Sequence, residues 1–240
     1  MGLSAAEQAD LAATVGRDGW AVTPPVVPQL AVDRLVAELA ELAALPAVRS
    51  RGGLRDLLDD SPAVRALATS PAVRSVAESV LGPTCFAVRA ILSDRSPGAS
   101  WTAAWHQDLT IAVRERASVA GYGPWSAKGG VPHVQPPAEL LERMLAVRVH
   151  LDDCGPADGP VRVLPGSHRV GRLSSSAIDA WRAGAEAVDC LAERGAIVAL
   201  RPLLLHATSP ATAAAHRRVV HLEFAAEELP APLDWHVRVA

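Results

Sequence analysis

Asp158-Gly159-Pro160-Val161-Arg162-Val163-Leu164-Pro165-Gly166-Ser167-His168-Arg169 is a short β run held between two turns. Asp-Gly is a hairpin-type turn signal, and Pro-Gly closes the run on its far side. Segments of the same texture lie on both sides. Residues 85–92 form a short apolar run rich in Val and Ile. Residues 145–151 alternate, with Arg148 and His150 on one face and Val147, Val149 and Leu151 on the other. Residues 195–200 and 219–224 complete the set. Short strands punctuated by Gly and Pro predict an all-β sandwich or barrel. There is no βαβ rhythm, no GxGxxG and no phosphate-binding loop, which argues against nucleotide-binding α/β folds.

Upstream the pattern is helical. Leu30, Leu35, Leu39 and Leu42 recur at helical spacing with Val32 and Val36, while Glu38 and Glu41 lie off the stripe. Ser61-Pro62 and Ser70-Pro71 each read as an N-cap followed by a first-turn proline, the second helix running over 71–81 and stopping at Gly82. Residues 113–139 are rich in Gly and Pro, a long connection that suits either a lid or an insertion without a role. The expected layout is a single domain over 1–240: mainly helical support in 1–82, a β core in 83–225, and a lid-like insertion at 113–139.

Composition narrows the function. The 240 residues carry a formal charge of -3 and are 50% hydrophobic, so neither a nucleic-acid partner nor a disordered tail is expected. No apolar run is long enough for a membrane span and no secretory signal is visible. Three widely spaced cysteines form neither a zinc pattern nor a disulfide framework, and a cytoplasmic location is expected. Lys128 is the sole lysine among 23 basic residues, an arginine bias that reads as a GC-rich genome. Six of the nine aromatic residues are tryptophan.

The chemistry resides in the histidines. In Trp105-His106-Gln107-Asp108, residues 106 and 108 would share one face of an extended strand. Alone, the pair is a weak signal, common by chance, and a polar pair on a surface strand is the favoured reading. Two ligands leave a divalent metal under-coordinated, and two imidazoles with one carboxylate would leave three octahedral positions open. His206, after an apolar stretch, is the candidate third ligand, although a lone histidine there is more often a core residue. Arg217, eleven residues on, strengthens it, because a guanidinium beside such a site can hold a dicarboxylate in a bidentate pair. Thr208 would add a hydroxyl.

In order and spacing, these residues resemble the phytanoyl-CoA dioxygenase family: His106-Gln107-Asp108, then Leu151-Asp152-Asp153 through the block above, then Leu203-Leu204-Leu205-His206 with Arg217-Arg218. The resemblance covers roughly residues 15–225. It implies a double-stranded β-helix, or jelly roll, with a helical N-terminal segment. It also implies Fe(II), with 2-oxoglutarate and O2 as cosubstrates. Carried across, His106, Asp108 and His206 are the iron ligands, and Arg217 with Thr208 holds the far carboxylate of 2-oxoglutarate. Arg218 is the alternative anchor, since strand alternation turns only one of the two inward. The implied activity is hydroxylation of a C–H in a small molecule (an amino acid, a small organic acid or a natural-product intermediate) with release of succinate and CO2. Related halogenases carry a small residue where Asp108 stands, so its presence favours hydroxylation, desaturation or ring closure. Competing readings are a non-catalytic cupin-like binding protein and a metal-dependent hydrolase or isomerase. Arg148 and His150 would touch cosubstrate or substrate if they face the barrel interior, or solvent if their strand is at an edge. Arg89 is a weaker case of the same kind. Tyr122, Trp125 and His133 could close over substrate, and Trp101 and Trp105 could wall the pocket or fill core. His168 is expected to shape its turn, and His216, His221 and His236 to serve surface or packing roles.

Overall fold

Capping signals in the sequence set the helices. Ser61 and Ser70 accept from the backbone N–H of Val64 and Val73, and the helices Pro62–Ala68 and Pro71–Leu81 begin on the expected prolines. The second ends at Gly82, as expected. The leucine stripe forms the helix Gln29–Ala44, with Val32, Leu35 and Leu39 buried and Val36 and Leu42 packed against them, whereas Leu30, in the first turn, is 63% exposed and lies off the buried face. An N-terminal helix, Ala5–Asp18, carries a Ser4–Glu7 capping box. This computed structural model describes residues 2–45, 54–95, 102–212 and 216–240.

The strands are β1 (Trp20–Val22), β2 (Phe86–Arg95), β3 (Ile111–Ala112), β4 (Trp125–Lys128), β5 (Val131–Val134), β6 (Met144–His150), β7 (Val161–Val163), β8 (Val188–Cys190), β9 (Ile197–Leu200), β10 (His206–Thr208) and β11 (Arg217–Ala225). A five-stranded antiparallel sheet has the order β1-β9-β6-β11-β2, and three-stranded sheets have the orders β10-β7-β8 and β3-β5-β4. The fold is mainly β with flanking helices, a double-stranded β-helix.

Alternation along β6 and β11 divides the major sheet into two faces. Leu145, Val147, Val149, Val220, Leu222 and Phe224 pack with the helices in one continuous apolar cluster. Ala146, Val198 and Leu200 face the other way and meet Val161, Val163 and Cys190 of the small sheet. Arg148, His150, Arg217, His221 and Glu223 share that inner side, because they fall on the same alternation.

Three features differ from the sequence reading. The first third contains a strand: β1 has only three residues and is held by pairing with β9, far along the chain. Asp158-Gly159 is not a hairpin turn. Asp158 ends a 3-10 turn, Pro156–Asp158, its carboxylate accepts from Gly155 N (2.8 Å), and Gly159 takes the left-handed conformation. The β7 strand that follows pairs with β8 and β10, not with β6. The 113–139 segment contains the β4–β5 hairpin, whose Gly129-Gly130 turn has φ of 60° and 90°, as a two-residue turn with two positive φ angles requires.

Candidate metal centre

His106 and His206 are brought together by backbone pairing. Each donates its N–H to the other's carbonyl at 3.0 Å in an isolated bridge that extends the small sheet. Asp108 N donates to Pro202 O at 2.9 Å, which carries the extended chain two residues further. Gln107 between them points away and is buried. Its amide donates to Leu203 O (2.7 Å) and Gly171 O (2.8 Å) and accepts from Leu173 N (2.9 Å). The Pro-Gly-Ser-His turn braces the other ligand strand. The Ser167 hydroxyl donates to Leu164 O (2.7 Å) and accepts from Leu205 N (2.8 Å), next to His206.

The donor atoms converge. His106 Nε2 lies 3.9 Å from Asp108 Oδ1, His206 Nε2 lies 3.6 Å from Asp108 Oδ2, and the three donors fall within 4.8 Å of one another. It is the one such metal-ligand cluster among the described residues. A divalent ion holds nitrogen and carboxylate donors at about 2.0–2.2 Å, so donors up to roughly twice that apart can share it. Both imidazoles are oriented for the task. Nδ1 of His106 donates to Ala104 O (2.7 Å) and Nδ1 of His206 to Leu204 O (2.9 Å), leaving each Nε2 as a lone pair facing Asp108. Burial pushes the Asp108 carboxyl upward, but His206, His221, His106 and Arg148 draw it down to about 2. Two neutral imidazoles, one ionised carboxylate and no thiolate fit a first-row divalent metal with open positions.

Close to this cluster two buried arginines, Arg148 and Arg217, lie within electrostatic range of each other. Arg217 is 1% exposed, and among the described residues its three nitrogens meet no oxygen or nitrogen partner, the Cys154 thiol being the polar group beside it. Burial depresses its pKa, with the Cys154 thiol and Asp158 opposing weakly. Arg148 Nε and His150 Nδ1 are also buried and unbonded. Arg148 is lowered to about 10 by burial and then by Arg217, while Asp108 draws it upward, so it is in electrostatic range of both. Burial and the two arginines hold His150 at about 3. Burying cations that depress one another costs stability, which an anion placed among them would offset.

Arg217 and Arg218 part as strand alternation requires. Arg218 faces outward and clasps Asp152 with Nε at 2.9 Å and Nη2 at 2.6 Å. Thr208 shares the face of His206, two residues away, and its hydroxyl accepts from Ala103 N at 2.7 Å. Arg148 and His150 are interior, because β6 is a central strand between β9 and β11. Arg89 bonds Glu223 at 2.6 Å and, with Asp108, lines a small cavity.

His133 is buried in the third sheet, pushed down to about 4 by burial, its Nδ1 donating to Val131 O. Tyr122 and Trp125 pack on a separate apolar cluster with Ile111 and Val134. Trp105 is half-buried, and Trp101 lies outside the described residues. His168 sits in its turn, 3.3 Å from Gly16 O; His216 and His236 approach Asp94 and Asp59.

His221 departs from the packing or surface role expected of it. It is buried, and its Nδ1 accepts from Arg148 Nη1 at 2.9 Å. Its Nε2 stands 3.7 Å from Glu223 Oε1, so Arg148, His221, Glu223 and Arg89 form one polar row across β6, β11 and β2. The signal was present in the sequence: residues 217, 219, 221 and 223 share one face. Thr110 and Lys128, which also line the cavity, carry no such signal.

A family model for phytanoyl-CoA dioxygenase (PhyH) matches residues 15–219. Among curated protein sequences none matches the chain. Solved structures do. EctD from S. alaskensis with bound Fe superimposes with a TM-score of 0.72 at 19% identity, covering 96% of this chain and 80% of that one. The epimerase SnoN in complex with Fe3+, alpha ketoglutarate and nogalamycin RO gives 0.68 at 18% identity, over 99% and 96%. The non-heme alpha ketoglutarate-dependent carbocyclase SnoK from nogalamycin biosynthesis gives 0.67 at 15%, over 93% and 84%.

Proposed function

The chain belongs to the phytanoyl-CoA dioxygenase family, and on that footing we propose that it is an Fe(II)- and 2-oxoglutarate-dependent oxygenase that hydroxylates a C–H bond of a small molecule. The observation that carries this reading is the buried Arg217 guanidinium, without a carboxylate partner among the described residues, on the same inner side as the converging His106, Asp108 and His206. A binding scaffold or a metal-dependent hydrolase would leave that arginine without a role.

Bound iron, with 2-oxoglutarate and O2, supplies the oxidising power to break a C–H bond, and 2-oxoglutarate becomes succinate and CO2. The rest is the work of the chain's own residues. His106 and His206 would hold the metal through Nε2, their rings fixed by the Nδ1 bonds to Ala104 and Leu204 carbonyls. Asp108, ionised across the neutral pH range, would supply the third donor and part of the charge balance. Arg217 would hold the distal carboxylate of 2-oxoglutarate in a bidentate pair, with Thr208 and Arg148 beside it. Val161, Val163, Val198 and Leu204 pack as one apolar cluster on the inner side of the sheet. The layout we propose is one domain: helices over 1–82 brace the outer face of the major sheet, 83–225 form the barrel, and 113–139 covers its mouth. SnoN and SnoK are an epimerase and a carbocyclase, which favours the reading that pocket shape, not the metal triad, selects the outcome.

The test is oxygen-dependent succinate formation from 2-oxoglutarate with added Fe(II). Wild type should form succinate, and Asp108→Ala and His206→Ala should not. Succinate at wild-type rate in both variants would overturn the reading.

A further inference from the structure

The cavity beside Asp108 is lined by a cation outside any ion pair among the described residues. Its ionic residues are Arg89, Glu223, Lys128 and Asp108. Arg89 and Glu223 neutralise each other at 2.6 Å. His221 accepts a hydrogen bond from Arg148 at Nδ1 and is therefore neutral. Lys128 remains. It donates to the Thr110 hydroxyl at 2.8 Å and has no carboxylate partner among the described residues. The cavity is thus lined by an ammonium that no carboxylate meets within ion-pair distance among the described residues.

The residue type agrees. In a chain whose other basic residues are all arginine, a lysine stands at this position. An ammonium is a compact point charge on a flexible stem. A guanidinium fork here would compete with Arg89 for Glu223. The position is also well fixed: Lys128 pairs with Val131 across the Gly129-Gly130 turn, and Val131 and Val134 are buried. Leu141, Met144 and Pro202 supply an apolar wall opposite the charges. The cavity is about 40 Å³. A water needs roughly 10–15 Å³, so this space admits a group the size of a carboxylate and not a whole substrate.

We propose that the substrate is a small carboxylic acid whose carboxylate docks on Lys128 in this cavity, while an apolar stem leads to the metal. This rests on the function proposed above. It assigns a specificity role to the chain's one lysine, distinct from the Arg217 pocket.

The solitary lysine makes the test direct. Reductive methylation with 13C keeps the charge and gives a single side-chain dimethylamine resonance, identified by its absence from Lys128→Met. The labelled full chain, loaded with Zn(II) as a redox-silent ion and saturated with 2-oxoglutarate, is titrated with pentanoate and with pentanamide. Pentanoate should shift the Lys128 resonance saturably, with at least tenfold tighter binding than pentanamide. No shift, or equal response to both probes, would overturn the proposal. Calorimetry of 2-oxoglutarate on the same sample separates the two claims. Absent 2-oxoglutarate binding refutes the oxygenase reading; normal binding with an unmoved Lys128 resonance refutes only the substrate class.

Discussion

Replacing Arg217 by methionine should make the ligand-free protein more stable while abolishing its response to 2-oxoglutarate. Methionine approximates the length of the arginine stem and carries no charge. In the folded protein the guanidinium is 1% exposed and meets no carboxylate within ion-pair distance among the described residues, so it loses its hydration and regains only the weaker company of the Cys154 thiol and the charge of Asp158. It also depresses Arg148 and His150, so its removal relieves them too. Replacing buried ionic groups by well-packed apolar ones stabilises by about 1–4 kcal/mol in favourable cases. For a chain of this size each kcal/mol moves the melting temperature by about 2–4 °C. Ligand binding should reverse the order. At a hundred times its dissociation constant a ligand adds about 2.7 kcal/mol to the state it binds, and only wild type should receive it. The assay is thermal unfolding of both proteins with a redox-silent divalent ion, with and without 2-oxoglutarate. The reasoning is refuted if Arg217→Met melts several degrees below wild type without ligand, or if 2-oxoglutarate stabilises both alike.

Other perturbations test the supports of the site. Ser167→Ala should leave buried Leu205 N unbonded, destabilise by about 1–3 kcal/mol and weaken metal affinity through His206; unchanged chemical unfolding would contradict the bracing role. Gly19→Ala should destabilise by at least about 1–2 kcal/mol, because φ is +86° and a Cβ would meet His168 Nδ1 at 2.5 Å and Leu204 Cδ1 at 2.8 Å; an unmoved urea midpoint would rule this out. Burial raises the Asp152 carboxyl, but its bonds to Arg218 and the attendant charge bring it below the ordinary value. Its stabilising effect is therefore present above about pH 3.9, the unfolded value, and is lost as pH falls through the folded one. Asp152→Asn should flatten that acid limb of the stability profile, and profiles that run parallel would refute the assignment.

What was legible in the sequence was local. Ser-Pro caps, the leucine stripe and the alternation of 145–151 are each decided within a few residues, and the structure follows them. The convergence of His106, Asp108 and His206 was legible through the order of its motifs, with the backbone bridge between His106 and His206 supplying the reason they meet. Arg217 could be told from Arg218 only once Asp152 appeared as the outward partner. The strand β1 was missed because three residues acquire their conformation from β9, nearly 180 residues away. Asp158-Gly159 misled because a 3-10 turn uses the same residue types as a hairpin. Lys128 and Thr110 carry no periodic signal, and the β4–β5 hairpin is what swings Lys128 to the cavity.

The central claim is that the triad and Arg217 together hold iron and 2-oxoglutarate. Anaerobic titration of the Fe(II)-loaded chain with 2-oxoglutarate, followed by visible absorption, tests it most directly. A weak saturable band should form in wild type, fail to form in His206→Ala, and give way to stoichiometric succinate when oxygen is admitted. Absence of both the band and succinate in wild type would contradict it.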